Sequence, residues 1–162
     1  MLRRKSPTNT YYGADINPSA LTRAIYKNPN LTFYNLKNDR IEEKFDVIIL
    51  SHVLEHVQNP EQILAQLTTY LNKDGFLIIA IPQERIRGDA TIFQIIYNFI
   101  TLKFENPHIM KIDYHDLKKY LEQNKCKIIE KVYTNYLPPF KSDTRRIDCW
   151  SLVAISQYNH NN

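Results

Sequence analysis

Only three glycines occur among 162 residues, and no two of them lie close together. A fold that cradles a nucleotide usually spends several glycines in one loop, so the usual phosphate-binding fingerprints are excluded. Cysteine is almost as scarce. The two present, Cys126 and Cys149, lack metal-ligand spacing, which excludes a zinc module and a disulfide framework. Each falls beside an expected strand, where a buried, reduced thiol is the ordinary state; this points to a cytoplasmic protein. No apolar run reaches the length of a membrane-spanning helix. Met1 to Thr10 is basic and polar without an apolar stretch, so no secretory signal is expected there.

What remains is the composition of one globular domain. Hydrophobic residues make up 43% and charged residues 23%, enough apolar content to bury a core. The formal charge of +4 could mark an anionic partner. However, Arg3-Arg4-Lys5 and Arg145-Arg146 are isolated groups without interleaved aromatics, which is the pattern of solvated surface rather than a nucleic-acid platform.

Periodicity and punctuation order the chain. Thr10 to Ala14 reads as a short strand. Asn17-Pro18 opens a helix with Leu21, Ala24 and Ile25 on one face. Leu31 to Leu36 is a second strand. Phe45 to Leu50 is an almost unbroken apolar run, suited to a strand buried on both faces in a parallel sheet. Pro60 opens a helix to Tyr70 with Ile63, Leu64, Leu67 and Leu71 on one side, closed by Lys73-Asp74-Gly75 as a glycine stop. Phe76 to Ile81 follows as a buried strand. Asp116 to Asn124 forms a further helix, and Lys127 to Tyr133 and Trp150 to Ser156 an antiparallel pair. Alternation of this kind is an α/β sandwich. One domain over residues 1–162 is expected, interrupted at 83–113 by an insertion whose Ile92 to Phe104 segment is apolar on too many sides for a free surface helix.

These residues resemble the class I S-adenosylmethionine-dependent methyltransferases. Tyr12-Gly13-Ala14-Asp15-Ile16-Asn17-Pro18 looks like the end of their second strand. Phe45 to Val57, with its Val53-Leu54-Glu55-His56-Val57 signature, looks like the fourth strand and its exit, as in quinone-pathway members. Asn59-Pro60-Glu61 through Ile79 and Trp150 to Ile155 resemble the later strands. The resemblance implies strand order 3-2-1-4-5-7-6 with the last strand antiparallel, and S-adenosyl-L-methionine as cofactor across the carboxyl ends of the strands. It further implies that Asp15 binds the ribose hydroxyls, a carboxylate offering acceptors to both. Read alone, Asp15 fits better as a helix cap before Pro18. By the same resemblance Ile16 lies against adenine, Asn35 stands where the family carries an aspartate for the adenine amine, and Ser51 and His52 border the methionine half. Asn35 alternatively serves only its turn.

His52, Glu55 and His56 fall at i, i+3 and i+4. Related enzymes carry two glutamates and a histidine at this spacing on a divalent metal. Here the first position is histidine, a poorer match to magnesium, so no metal is expected and Glu55 and His56 remain weak candidates. His56 is the candidate acid-base group and His108 the second, since histidine titrates near neutrality. A metal-dependent hydrolase built on the same three residues would leave the flanking strand order unexplained.

The family's first strand and glycine loop should precede Tyr11, yet Met1 to Asn9 holds neither an apolar run nor a glycine. The resemblance therefore implies a fold incomplete at its N-terminus, with weakened cofactor binding. Either the flanking strands pair directly, or upstream sequence or a partner chain supplies the missing strand. Methyl transfer to a small-molecule acceptor is the expected function. The alternative is a non-catalytic, methyltransferase-like binding module.

Overall fold

The computed structural model describes residues 9–83 and 112–159. His108 and the apolar Ile92 to Phe104 segment lie outside these residues. The chain divides into two compact units, Met1–Glu43 and Lys44–Asn162.

The first unit is a strand-helix-strand element. Strand β1 (Tyr12–Asp15) pairs in parallel with β2 (Thr32–Asn35), and helix α1 (Pro18–Lys27) connects them. Proline at the first helical position suits α1, and Asn17 caps it by accepting from the Ser19 amide. Leu21 alone of the expected apolar face is buried. Ile25 is half exposed, because a two-stranded sheet offers little surface to cover a helix face. Gly13 is required by close approach: a Cβ there would stand 2.5 Å from the Phe33 ring.

The second unit contains β3 (Phe45–Ser51), a 3₁₀ turn (Leu54–His56), α2 (Pro60–Thr69), β4 (Leu71–Pro82), α3 (Tyr114–Gln123), β5 (Cys126–Asn135), β6 (Lys141–Ser142) and β7 (Cys149–Tyr158). Its five-stranded sheet has the order β3-β4-β7-β5-β6, with β3 parallel to β4 and β7 antiparallel to both β4 and β5. The core gathers on this sheet. Leu54, Leu64, Leu77, Ile79, Leu117 and Leu152 are fully buried, joined by the free thiols of Cys126 and Cys149. The hydroxyls of Ser151 and Ser156, also buried, donate to the carbonyls of Ile81 and Leu77 and so leave no polar group stranded between β7 and β4.

Three local expectations are corrected. The Phe45 to Leu50 run is not buried on both faces: among the described residues β3 is the edge strand of its sheet, Ile48 and Leu50 pack on the core, and Val47 and Ile49 are about half exposed. Gly75 does not close α2 by a left-handed turn. Asp74 takes that conformation (φ 61°), and Gly75 serves instead where a Cβ would meet the Asn72, Phe45 and Asp46 carbonyls at 3.0–3.3 Å. Helix α3 begins at Tyr114 rather than Asp116, because Asp113 and Asp116 form a reciprocal capping box. No helix among the described residues is long and apolar enough to cross a membrane.

Candidate functional site

The parallel register of β1 and β2 makes Asp15 and Asn35 partners, both at the carboxyl ends of their strands. Chain direction reverses at these ends, and each side chain takes part in the turn. Asp15 accepts from the Asn17 amide at 2.8 Å, while the Asp15 carbonyl accepts from the Leu36 amide. Asn35 accepts from the Lys37 amide at 3.0 Å, and its own amide donates to Asp39 at 2.7 Å. The turn role considered for Asn35 is thus realised. The cap of α1 belongs to Asn17, so Asp15 is not needed for it. Only one Asp15 oxygen is used in its turn hydrogen bond, which leaves acceptor capacity for a hydroxyl. Ile16, next along, is 57% exposed, an apolar side chain with no core to enter. Nearby, the Tyr12 and Tyr34 rings stack at 6.1 Å. The hydrogen bond to Glu43 is the main cause that pushes the Tyr34 phenol up to about 12.

In the second unit β3 ends at Ser51, paired with Ala80 of β4. His52 then takes a left-handed backbone, φ 54°, held by its amide donating to the Ala80 carbonyl at 2.9 Å. That conformation is costly for a non-glycine residue, about 1–2 kcal/mol. It turns the chain into the 3₁₀ segment, where Leu54 anchors in the core and carries Glu55 inward with it. Glu55 is 2% exposed, and neither of its carboxyl oxygens has a hydrogen-bond partner. Two imidazoles flank it: His52 Nδ1 lies 3.5 Å and His56 Nε2 3.9 Å from Oε1. Both rings remain partly open to solvent.

Trp150 completes this cluster. Strand β7 runs antiparallel to β4 with Ser151 opposite Pro82, so the start of β7 lies beside the exit of β4. Gln83 fastens that corner. Its amide donates to the Trp150 carbonyl, its side chain to the Ile112 carbonyl at 2.9 Å, and its carbonyl accepts from Arg145 at 2.6 Å. The Trp150 indole stacks on His52 with centroids 5.9 Å apart and planes 11° from parallel, and the Tyr136 ring lies tilted 6.5 Å from the indole. Among the described residues no group of three or more histidine, cysteine, aspartate or glutamate side chains is disposed to hold a metal ion.

The candidate residues therefore gather by unit: Asp15, Ile16 and Asn35 in one, Ser51, His52, Glu55 and His56 in the other. Sequence reasoning missed Trp150 and Tyr136. The solitary tryptophan heading an antiparallel strand was the available signal, but its partner ring lies far away in the chain.

A family model described as a methyltransferase domain matches residues 1–131. The chain belongs to the methyltransferase-domain family. The mitochondrial ubiquinone biosynthesis O-methyltransferase of Dictyostelium discoideum is 29% identical over 100 residues, covering 60% of this chain and 30% of the relative. The corresponding Candida albicans protein is 28% identical over 88 residues, covering 52% and 24%. The matches span only about a quarter to a third of these curated relatives. Among solved structures, an S-adenosylmethionine-dependent methyltransferase from Clostridium acetobutylicum superposes with TM-score 0.68 at 11% identity, over 93% of this chain and 76% of that one. The N-methyltransferase NodS from Bradyrhizobium japonicum, in complex with S-adenosyl-L-homocysteine, superposes with TM-score 0.62 at 14% identity, over 97% and 71%. The methyltransferase fold is thus the class I α/β sandwich with a mixed sheet, as expected from the strand order.

Proposed function

We propose that this chain serves S-adenosylmethionine-dependent methyl transfer to a small-molecule acceptor. One observation carries the reading: in both units the candidate residues stand at the carboxyl ends of parallel strands, where open α/β sheets bind ligands. The chemistry of the residues fits the cofactor. Asp15 has acceptor capacity to spare for ribose hydroxyls, exposed Ile16 offers an apolar surface to adenine, and the Asn35 side chain accepts from or donates to the adenine edge. In the second unit Ser51 and His52 stand at the end of β3, and the histidines of the turn that follows are suited to move a proton. When bound, the cofactor supplies an electrophilic methyl group. The residues of this chain bind, orient and move the acceptor's proton.

With only three glycines, none close to another, the chain offers no glycine-rich loop to cradle the methionine carboxylate. The edge position of β3, with Val47 and Ile49 half exposed, supports a further strand there, from additional sequence or a partner chain. Two free, buried thiols support a cytoplasmic setting.

Calorimetric titration with S-adenosylmethionine tests the proposal. The expected outcome is saturable binding weaker than about 100 μM, reflecting the missing cradle, and lost in Asp15→Ala. Absence of binding at millimolar cofactor would instead support the non-catalytic module, and indifference to Asp15→Ala would remove that residue from the site.

A further inference from the structure

We infer that His52, rather than His56, is the group that accepts the acceptor's proton, with Glu55 and Trp150 as its positioning residues. This assignment rests on the methyl-transfer reading above and specifies which imidazole serves it.

Three independent restraints converge on the His52 ring. Its backbone is held in the left-handed region by the hydrogen bond to Ala80. One face of the imidazole is stacked on Trp150, which Gln83 and the β4–β7 ladder keep in place. Its Nδ1 is 3.5 Å from the Glu55 carboxyl, nearer than the 3.9 Å to His56 Nε2. A backbone strain of this sort persists only where surrounding structure over-determines it, and such strain concentrates at functional sites. Glu55 supplies the second argument. A carboxyl group that is 2% exposed and has no hydrogen-bond donor is costly to keep, and the fold gains nothing from it in packing that leucine would not provide.

The chemistry follows from the two ring nitrogens. The Glu55 carboxyl, 3.5 Å from Nδ1 without a hydrogen bond to it, biases the neutral ring electrostatically toward hydrogen on Nδ1 and a lone pair on Nε2. An acceptor O–H or N–H bond then breaks with its electron pair remaining on oxygen or nitrogen. The proton passes to Nε2, and the resulting imidazolium is stabilised by the Glu55 carboxylate. A carboxylate behind Nδ1 fixes the tautomer and the ring orientation in this way in other hydrolytic and transfer enzymes.

Nitrogen-15 spectroscopy of the imidazoles, on the full chain without ligand at mildly alkaline pH, tests the assignment. His52→Asn identifies the resonances and suits the left-handed backbone. In the unaltered protein Nδ1 should resonate as protonated and Nε2 as unprotonated. Glu55→Leu should shift both nitrogens back toward the free-imidazole mixture, and Glu55→Gln should retain part of the effect through its amide oxygen. Diethyl pyrocarbonate should modify His52 at Nε2 more slowly in Glu55→Leu. A spectrum of the unaltered protein with hydrogen on Nε2 would overturn the inference, whether or not the variants fold. Loss of cofactor binding would overturn the methyl-transfer reading and leave the spectrum unaffected, so the two failures are distinguishable.

Discussion

Replacing Glu55 by leucine should make the protein more stable. The carboxyl group is buried to 2% exposure, neither oxygen accepts a hydrogen bond, and its nearest cationic candidates lie at 3.5 and 3.9 Å. Its desolvation is therefore poorly compensated. Leucine has a similar volume, and neighbouring Leu54 already shows that this turn accepts an aliphatic group in the core. The two histidines are partly exposed, so losing the carboxylate strands no buried charge. Exchanges of buried ionic groups for apolar ones of like volume gain about 1–4 kcal/mol, and the flanking imidazoles place this one near the lower end, about 1–2 kcal/mol. For a chain of this length each kcal/mol moves Tm by about 2–4 °C, so a rise of roughly 2–8 °C is expected. Urea unfolding and calorimetry on Glu55→Leu and Glu55→Ala provide the assay. The alanine variant separates charge from volume, since it removes the carboxylate but leaves a cavity. A leucine variant destabilised by more than about 2 kcal/mol would refute the reasoning, because the carboxylate would then be a net contributor to the fold.

Asp113→Ala should cost about 1 kcal/mol in urea unfolding, through loss of the capping box that starts α3. The Asp113 carboxyl is held below its ordinary value, chiefly by the Asp116 amide hydrogen bond, so the cap's contribution is present above the unfolded pKa and lost as pH falls through the folded one. A pH series of unfolding midpoints, flattened in Asp113→Ala, checks the sign. Burial pushes the Cys126 thiol up to about 11 from 9.0, so its contribution is intact below pH 9 and lost as pH rises through the folded value. Unfolding midpoints that drop less steeply between pH 9 and 11 in Cys126→Ala would match. Lys125 occupies a left-handed position just after α3 (φ 58°) on an exposed site, so Lys125→Gly should stabilise by about 1 kcal/mol, read as a rise in Tm.

Much of this architecture was legible because it is written in local patterns. Phe76 to Ile81 announces a buried strand, Asn17-Pro18 and Asn59-Pro60 announce helix starts, and the order of these signals carries the family resemblance that implied the sheet order. What local patterns cannot convey is which strand lies at an edge. Phe45 to Leu50 has the composition of a central strand, yet Val47 and Ile49 are half exposed because exposure depends on neighbours, not on the strand itself. Left-handed positions were equally hidden. His52, Asp74 and Lys125 adopt them although none is glycine. Asp15, Ser51 and His52 were recognisable as ends of strands. The stack of Trp150 on His52 was not, since only the antiparallel ladder of β7 on β4 brings the two rings together.

A single nitrogen–proton correlation titration with S-adenosyl-L-homocysteine tests the central claim most directly. Binding of the ligand should shift the amides of Asp15, Ile16 and Asn35 along one saturation curve. Amides of these residues that stay unshifted at millimolar ligand would contradict the account.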